Sequence, residues 1–156
     1  MTDEEVHVLH ALLQAQPVAA VATLHAGLPA VSMAPFAVCG TAWVVHVSRL
    51  ASHTQDMLQQ PVAGLLVTAP ASMADTPLAL PRLSLQGKVV VCGPGHPRHA
   101  EARNAYLARL PESEALFSFS DFMLMLIEPD SARFIAGFGR AMNLSSAQLA
   151  EVLRRV

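Results

Sequence analysis

Charge is scarce in this chain: 14% of its 156 residues are Asp, Glu, Lys or Arg, the formal net charge is −2, and aromatics make up 5%. The basic, aromatic-interleaved surface with which proteins grip nucleic acid is missing, so nucleic acid is not an expected partner. Cysteine is nearly absent too. Cys39 and Cys92 lie in apolar, strand-like runs, too few for a disulfide framework and suited to buried thiols in a reducing compartment. No apolar run reaches the roughly 20 residues that span a bilayer, and the opening Asp3-Glu4-Glu5 is the opposite of a signal peptide's positive start. The expectation is a soluble, cytoplasmic protein with no membrane partner.

What is abundant is apolar residue, at 53%. A chain of this length builds one compact domain with a real core, read here as residues 1–156, and is too short for two. So many apolar residues with so few charges leave more apolar surface than a monomer needs, which points to a subunit interface and a homodimer.

The segment from Trp43 to Val67 carries the clearest chemistry. Trp43, Val45 and Val47 alternate with Val44, His46 and Ser48 as a strand does, and Leu50, Thr54, Met57 and Leu58 then repeat at helical spacing. The period changes at Ser48-Arg49. A helix starting there, over about residues 50–59, presents unpaired N–H groups and the positive end of its dipole, with donors from Ser48, Arg49, Ser52, His53 and Thr54 around it. Phosphate suits such a turn, while an ordinary helix start with Ser48 as N-cap and Arg49 solvated is the plainer alternative.

Elsewhere the pattern is strand-rich. Thr2 with Glu5 forms a capping box for a first helix over residues 3–15, which Pro17 stops. Val18–Leu24 and Ala30–Val38 flank a turn and read as a hairpin. Pro61–Thr68 is a strand, and a proline-marked loop covers Ala69–Pro81. From Arg82 to Val89 polar and apolar residues alternate, putting Arg82, Ser84 and Gln86 on one wall. A helix carrying Ala102, Tyr106 and Leu110 ends at Pro111. Phe122–Ile127 and Arg133–Phe138 read as the last strands, separated by a turn at Glu128-Pro129-Asp130. Ser145 with Gln148 caps a closing helix whose apolar face is Leu149, Val152, Leu153 and Val156. About six strands joined by turns too short for parallel crossovers, with four helices, predict a mainly β (α+β) fold: an antiparallel, six-stranded barrel with peripheral helices.

In that order and spacing, GLPAVSMAPF, VHVSRLASHTQDMLQQP, LPRLSLQG, the Asp121-Phe122 pair and GFGRAMNL resemble the FMN-binding split-barrel proteins of the pyridoxamine 5′-phosphate oxidase-like superfamily, in the branch related to haem-utilisation proteins. The resemblance implies FMN at a dimer interface. It places the phosphate beside Val47, Ser48, Arg49, Ser52, His53 and Thr54, the strand Val31, Ser32, Met33 and Ala34 along the ring edge, and Arg82 near the isoalloxazine. His53 stands where many relatives carry Lys, which leaves Arg49 to supply most of the charge. The strand from Val31 to Phe36 has no Lys or Arg, unlike true pyridoxamine phosphate oxidases, so a phosphorylated B6 substrate is not expected. Haem-degrading relatives supply an axial His from a C-terminal extension, and this sequence ends at Val156, so haem ligation here needs another His.

Smaller constellations have plain readings. Cys92, His96 and His99 lack a fourth zinc ligand, and no metal site is expected. His7 and His10 mark a half-exposed helix face, Gly137-Phe138-Gly139 lacks the context of a dinucleotide fingerprint and fits a bend at a barrel rim, and Met123 and Met125 fill core. Asp121 opens its strand as a cap or a cross-subunit partner. The leading reading is a homodimeric FMN-dependent oxidoreductase acting on a small or planar molecule, with no acid or base identified. The alternatives are a haem-handling protein that uses the same cleft, with His46, His53 or a helix-borne His as ligand, and a paralogue poor in cofactor.

Overall fold

The computed structural model describes residues 1–154, so Val156 of the expected helix face lies outside the described residues. One sheet of eight antiparallel strands organises the chain. Its strands are β1 (Val18–His25), β2 (Leu28–Pro35), β3 (Ala37–Cys39), β4 (Ala42–Ser48), β5 (Val62–Thr68), β6 (Arg82–Val91), β7 (Phe122–Gly137) and β8 (Arg140–Ser145). Around it lie α1 (Asp3–Ala15), α2 (Ser52–Gln59), α3 (His99–Arg109) and α4 (Ser146–Leu153), with 3-10 turns in the 69–81 loop and over Pro111–Ser118.

The hydrogen-bonded order is β2-β1-β5-β6-β7-β4-β3, with β8 on the free flank of β7. The sheet curls without closing, which is the split-barrel arrangement. The end strands β2 and β3 are consecutive in the chain, divided only at Phe36. Inward side chains of β1, β4, β5, β6 and β7 meet α1 and α4 in one core around Leu9, Phe36, Trp43, Met125, Ile127 and Phe134. Met123 and Met125 belong to it, as expected. A second core beneath α3 joins Val44, Leu124, Leu126, Cys92 and Tyr106.

Local signals set several of these elements. Both capping boxes form, Thr2 with Glu5 and Ser145 with Gln148. The β1–β2 turn is Ala26-Gly27 with φ of 51° and 79°, the positive values that a tight hairpin requires. Gly137-Phe138-Gly139 forms the β7–β8 turn beside a register shift. None of the described helices is long and apolar enough to cross a membrane.

Three expectations are corrected. The barrel has eight strands where six were expected, because Ala30–Val38 breaks into β2 and β3 and the residues after Gly139 form β8. The helix does not begin at Ser48-Arg49. Instead α2 starts at Ser52 with Ala51 as N-cap and no side-chain cap, because the Arg49 N–H donates to the Asp121 carbonyl at 2.7 Å and holds Ser48–Ala51 as a separate turn. Nor is Glu128-Pro129-Asp130 a turn, since β7 runs through it unbroken. A bulge between Gln86 and Gly87 absorbs the irregularity and lets Gly87 oppose Pro129.

That bulge depends on a hydrogen in place of a side chain. A Cβ on residue 87 would stand 2.2 Å from the Glu128 carbonyl oxygen. Gly87→Ala should therefore destabilise the fold by roughly 3 kcal/mol, the upper end of overpacking costs, read as a lowered urea midpoint with an unchanged slope.

Candidate functional site

The register places a ladder of small residues on the outward face of the sheet. One row runs Val31, Ala22, Gly64, Gln86, Ser131, Ser145, and the next runs Met33, Ala20, Leu66, Ser84, Arg133, Asn143. Because Ala20, Ala22 and Gly64 carry so little bulk, the face is hollowed into a groove of about 960 Å³. Its β2-β1-β5 end is apolar, with Val31 76%, Met33 59% and Leu66 40% exposed. Its β6-β7-β8 end is polar, and there Arg133 donates to the Asn143 side-chain oxygen at 2.8 Å. Arg133 is the one basic residue among the described residues lining the groove, and Asp130 the one acid. An apolar trough with a guanidinium at one end suits a flat molecule bearing carboxylates.

A second polar group surrounds α2. Ser48 donates to Asp121 at 2.7 Å, and Ser32 shares a hydrogen bond with His53 at 3.0 Å, tying β2 to the helix. Asp56 is buried and accepts from Thr23 at 2.8 Å and from His25 at 2.7 Å. These hydrogen bonds, His25's first and Thr23's second, hold its carboxyl below the usual carboxylate range. Burial holds His53 below the ordinary imidazole value, with Asp56 opposing.

The residues expected at a cofactor site are thus divided. Ser32, His53, Ser48, Arg49 and Ser52 gather around the start of α2, where Arg49 and Ser52 are exposed. Val47, Ala34 and Thr54 are buried. Val31 and Met33 face the groove, on the opposite side of β2 from Ser32. Arg82 lies three strands from β2, one row beyond the groove lining, and donates to the Leu78 and Leu80 carbonyls of the proline-marked loop. Asp121 caps the Ser48-Arg49 turn within its own chain.

The histidines have distinct surroundings. His10 donates to the Val152 carbonyl and joins α1 to α4. His96 accepts from the Arg98 N–H, and His99 donates to the Cys92 carbonyl. His46 is buried and stacks on Phe117 at 3.8 Å, with Tyr106 and Phe122 around it and its Nδ1 without a partner among the described residues. Burial, with Arg103 second, lowers its pKa to about 4. No histidine is among the described residues lining the groove. The sequence reading passed over Ala20, Ala22, Gly64, Arg133 and Asn143. Alternation pointed at Ser84 and Gln86, and the cross-strand register was needed to find the others.

An open, eight-stranded antiparallel sheet with the groove on its outward face defines a split-barrel protein. No family model matches the chain. It is 35% identical over 117 residues to the chloroplastic non-canonical heme oxygenase HOZ of Arabidopsis thaliana, covering 74% of this chain and 34% of that protein. It is 26% identical over 130 residues to the heme oxygenase HutZ of Vibrio cholerae, covering 80% and 72%. The solved heme binding protein from Mycobacterium smegmatis superposes with a TM-score of 0.82 at 28% identity, covering 95% of this chain and 59% of that one. The chain therefore spans about a third of the plant relative and somewhat less than two thirds of the mycobacterial one. Further split barrels of the pyridoxamine 5′-phosphate oxidase type share the fold at lower identity. The chain has the fold of the pyridoxamine 5′-phosphate oxidase-like split barrels and is similar in sequence to haem-utilisation proteins.

His46 makes the fold acid-sensitive. Its folded pKa lies below its unfolded value, so between pH 6.5 and about 4 the unfolded chain binds a proton that the folded chain refuses. Stability is then complete above pH 6.5 and falls by up to roughly 3 kcal/mol on acidification to pH 4. Thermal melts over this range should show that slope, and His46→Phe should remove most of it, His53 supplying the rest.

Proposed function

We propose that this protein binds haem in the groove of its outward sheet face, as a homodimer that covers the same face. The observation that carries the reading is the groove itself: an apolar hollow on β1, β2 and β5 continuing into Arg133 and Asn143 on β7 and β8. Ala20, Ala22, Val31 and Leu66 provide flat apolar contact and exclude water from a planar ring, while Arg133 receives a carboxylate. The names of the relatives support the choice of haem. Bound haem would supply redox-active iron, and the residues lining the groove offer that iron no imidazole of their own.

Exposed Val31 and Leu66 in the groove, with Met33 beside it on the same face, support a second copy as the cover. The flavin reading keeps one observation on its side, since Arg49 and Ser52 stand exposed at the start of α2. It requires FMN to be retained by the protein, and the relatives' names offer it no support.

Hemin titrated into the purified protein should give a saturable Soret change and co-elute with a dimer on gel filtration. Leu66→Glu, which sets a charge in the trough, should weaken hemin binding at least tenfold, about 1.4 kcal/mol. Free hemin beside a yellow, FMN-retaining protein would overturn the proposal. Arg49→Ala should in that case cost FMN affinity roughly 1.5–3 kcal/mol, the worth of a charge-assisted phosphate contact.

A further inference from the structure

We propose that His25 is a ligand for the iron of a metalloporphyrin docked at the tip of the β1–β2 hairpin, a site separate from the groove. The ring is held from behind. Its Nδ1 faces Asp56 Oδ1 at 2.7 Å, and the other Asp56 oxygen accepts from Thr23 at 2.8 Å. Both oxygens of a buried carboxylate are thereby fixed, and the carboxylate in turn fixes the imidazole as the Nδ1–H tautomer. The Nε2 lone pair is left free on a side chain 67% exposed. A carboxylate behind the imidazole is the support that orients metal-binding histidines and raises their basicity.

The neighbours favour a porphyrin iron over a bare cation. Among the described residues no three His, Cys, Asp or Glu side chains are grouped to hold a metal ion, so a free divalent ion would find its remaining ligands missing. Porphyrin iron brings four nitrogens and needs one more donor. Leu28 is the direct cross-strand partner of His25 and is 70% exposed. Directly opposed strand residues have Cβ atoms about 5 Å apart on one face, so an apolar side chain stands beside the imidazole where a macrocycle would lie. The hairpin tip is set rigidly by the two positive-φ residues Ala26 and Gly27. His25 points to the α2 side of the sheet, away from the groove, and lies three residues beyond Ala22. The haem reading of the groove enters only in the choice of porphyrin.

The test uses the full chain with hemin, read by ferric absorption and electron paramagnetic resonance. Wild type should show an imidazole-ligated species. His25→Ala should lose it, and added imidazole should restore it, which a purely structural clasp would not allow. Asp56→Asn should weaken the same species 10–100-fold, the usual effect of removing a ligand's outer partner. Leu66→Glu should leave it intact, so this site and the groove fail separately. A wild-type spectrum in His25→Ala, or no imidazole-ligated hemin in wild type, would overturn the proposal. Because His25→Ala also takes a donor from the buried Asp56 carboxylate, His25→Gln, which keeps an N–H donor and lacks the imidazole, should lose the same species while the thermal melt stays near that of wild type.

Discussion

One strand of sixteen residues serves both halves of this sheet, and it does so only because it can bend. The first part of β7 pairs with β4, the last part with β8, and β6 follows it from Met125 to Ile135. The bend depends on the missing side chain at Gly87, where the Glu128 carbonyl comes too close for any Cβ. On either side of it β7 holds the two polar regions of the molecule. Just before its start Asp121 clasps Ser48 and Arg49, and past the bend Arg133 stands at the polar end of the groove.

Small residues then determine what the sheet can hold. Ala20, Ala22 and Gly64 adjoin one another across β1 and β5, and a Cβ on Gly64 would only touch Ala22 at ordinary distance. The floor is shallow in side-chain bulk rather than sealed by backbone. Apolar Val31 and Met33 flank it, and Arg133 is its only cation among the described residues. Such a surface favours a broad, flat, weakly charged guest and a second protein surface over it, and offers little to a compact polyanion. The α2 region differs: its carboxylates are already engaged, Asp121 with Ser48 and Asp56 with His25 and Thr23, and its one exposed cation is Arg49 among the described residues.

Much of the fold was legible where the signal is local. Both capping boxes, the hairpin over Ala26-Gly27 and the alternation from Arg82 to Val89 involve residues within a few positions of each other, and all form. Where the deciding partner is distant, reading failed. Pro129 between two acids resembles a turn until Gly87 is set opposite it, and Ser48 resembles an N-cap until Asp121, 73 residues away, takes its hydroxyl. The site followed the same division. Its polar wall showed in Ser84 and Gln86, but the apolar trough needed the register of β1, β2 and β5. Nothing local joins His25 to Asp56, 31 residues on.

The most direct measurement is paramagnetic broadening of backbone amide signals in the ¹⁵N-labelled protein with ferric hemin at half-saturation. Haem in the groove predicts loss of the Ala20, Ala22, Gly64 and Leu66 signals while those of α3 persist. Signals that disappear only around Ser48–Thr54, or none at all, would contradict a haem site on this face of the sheet.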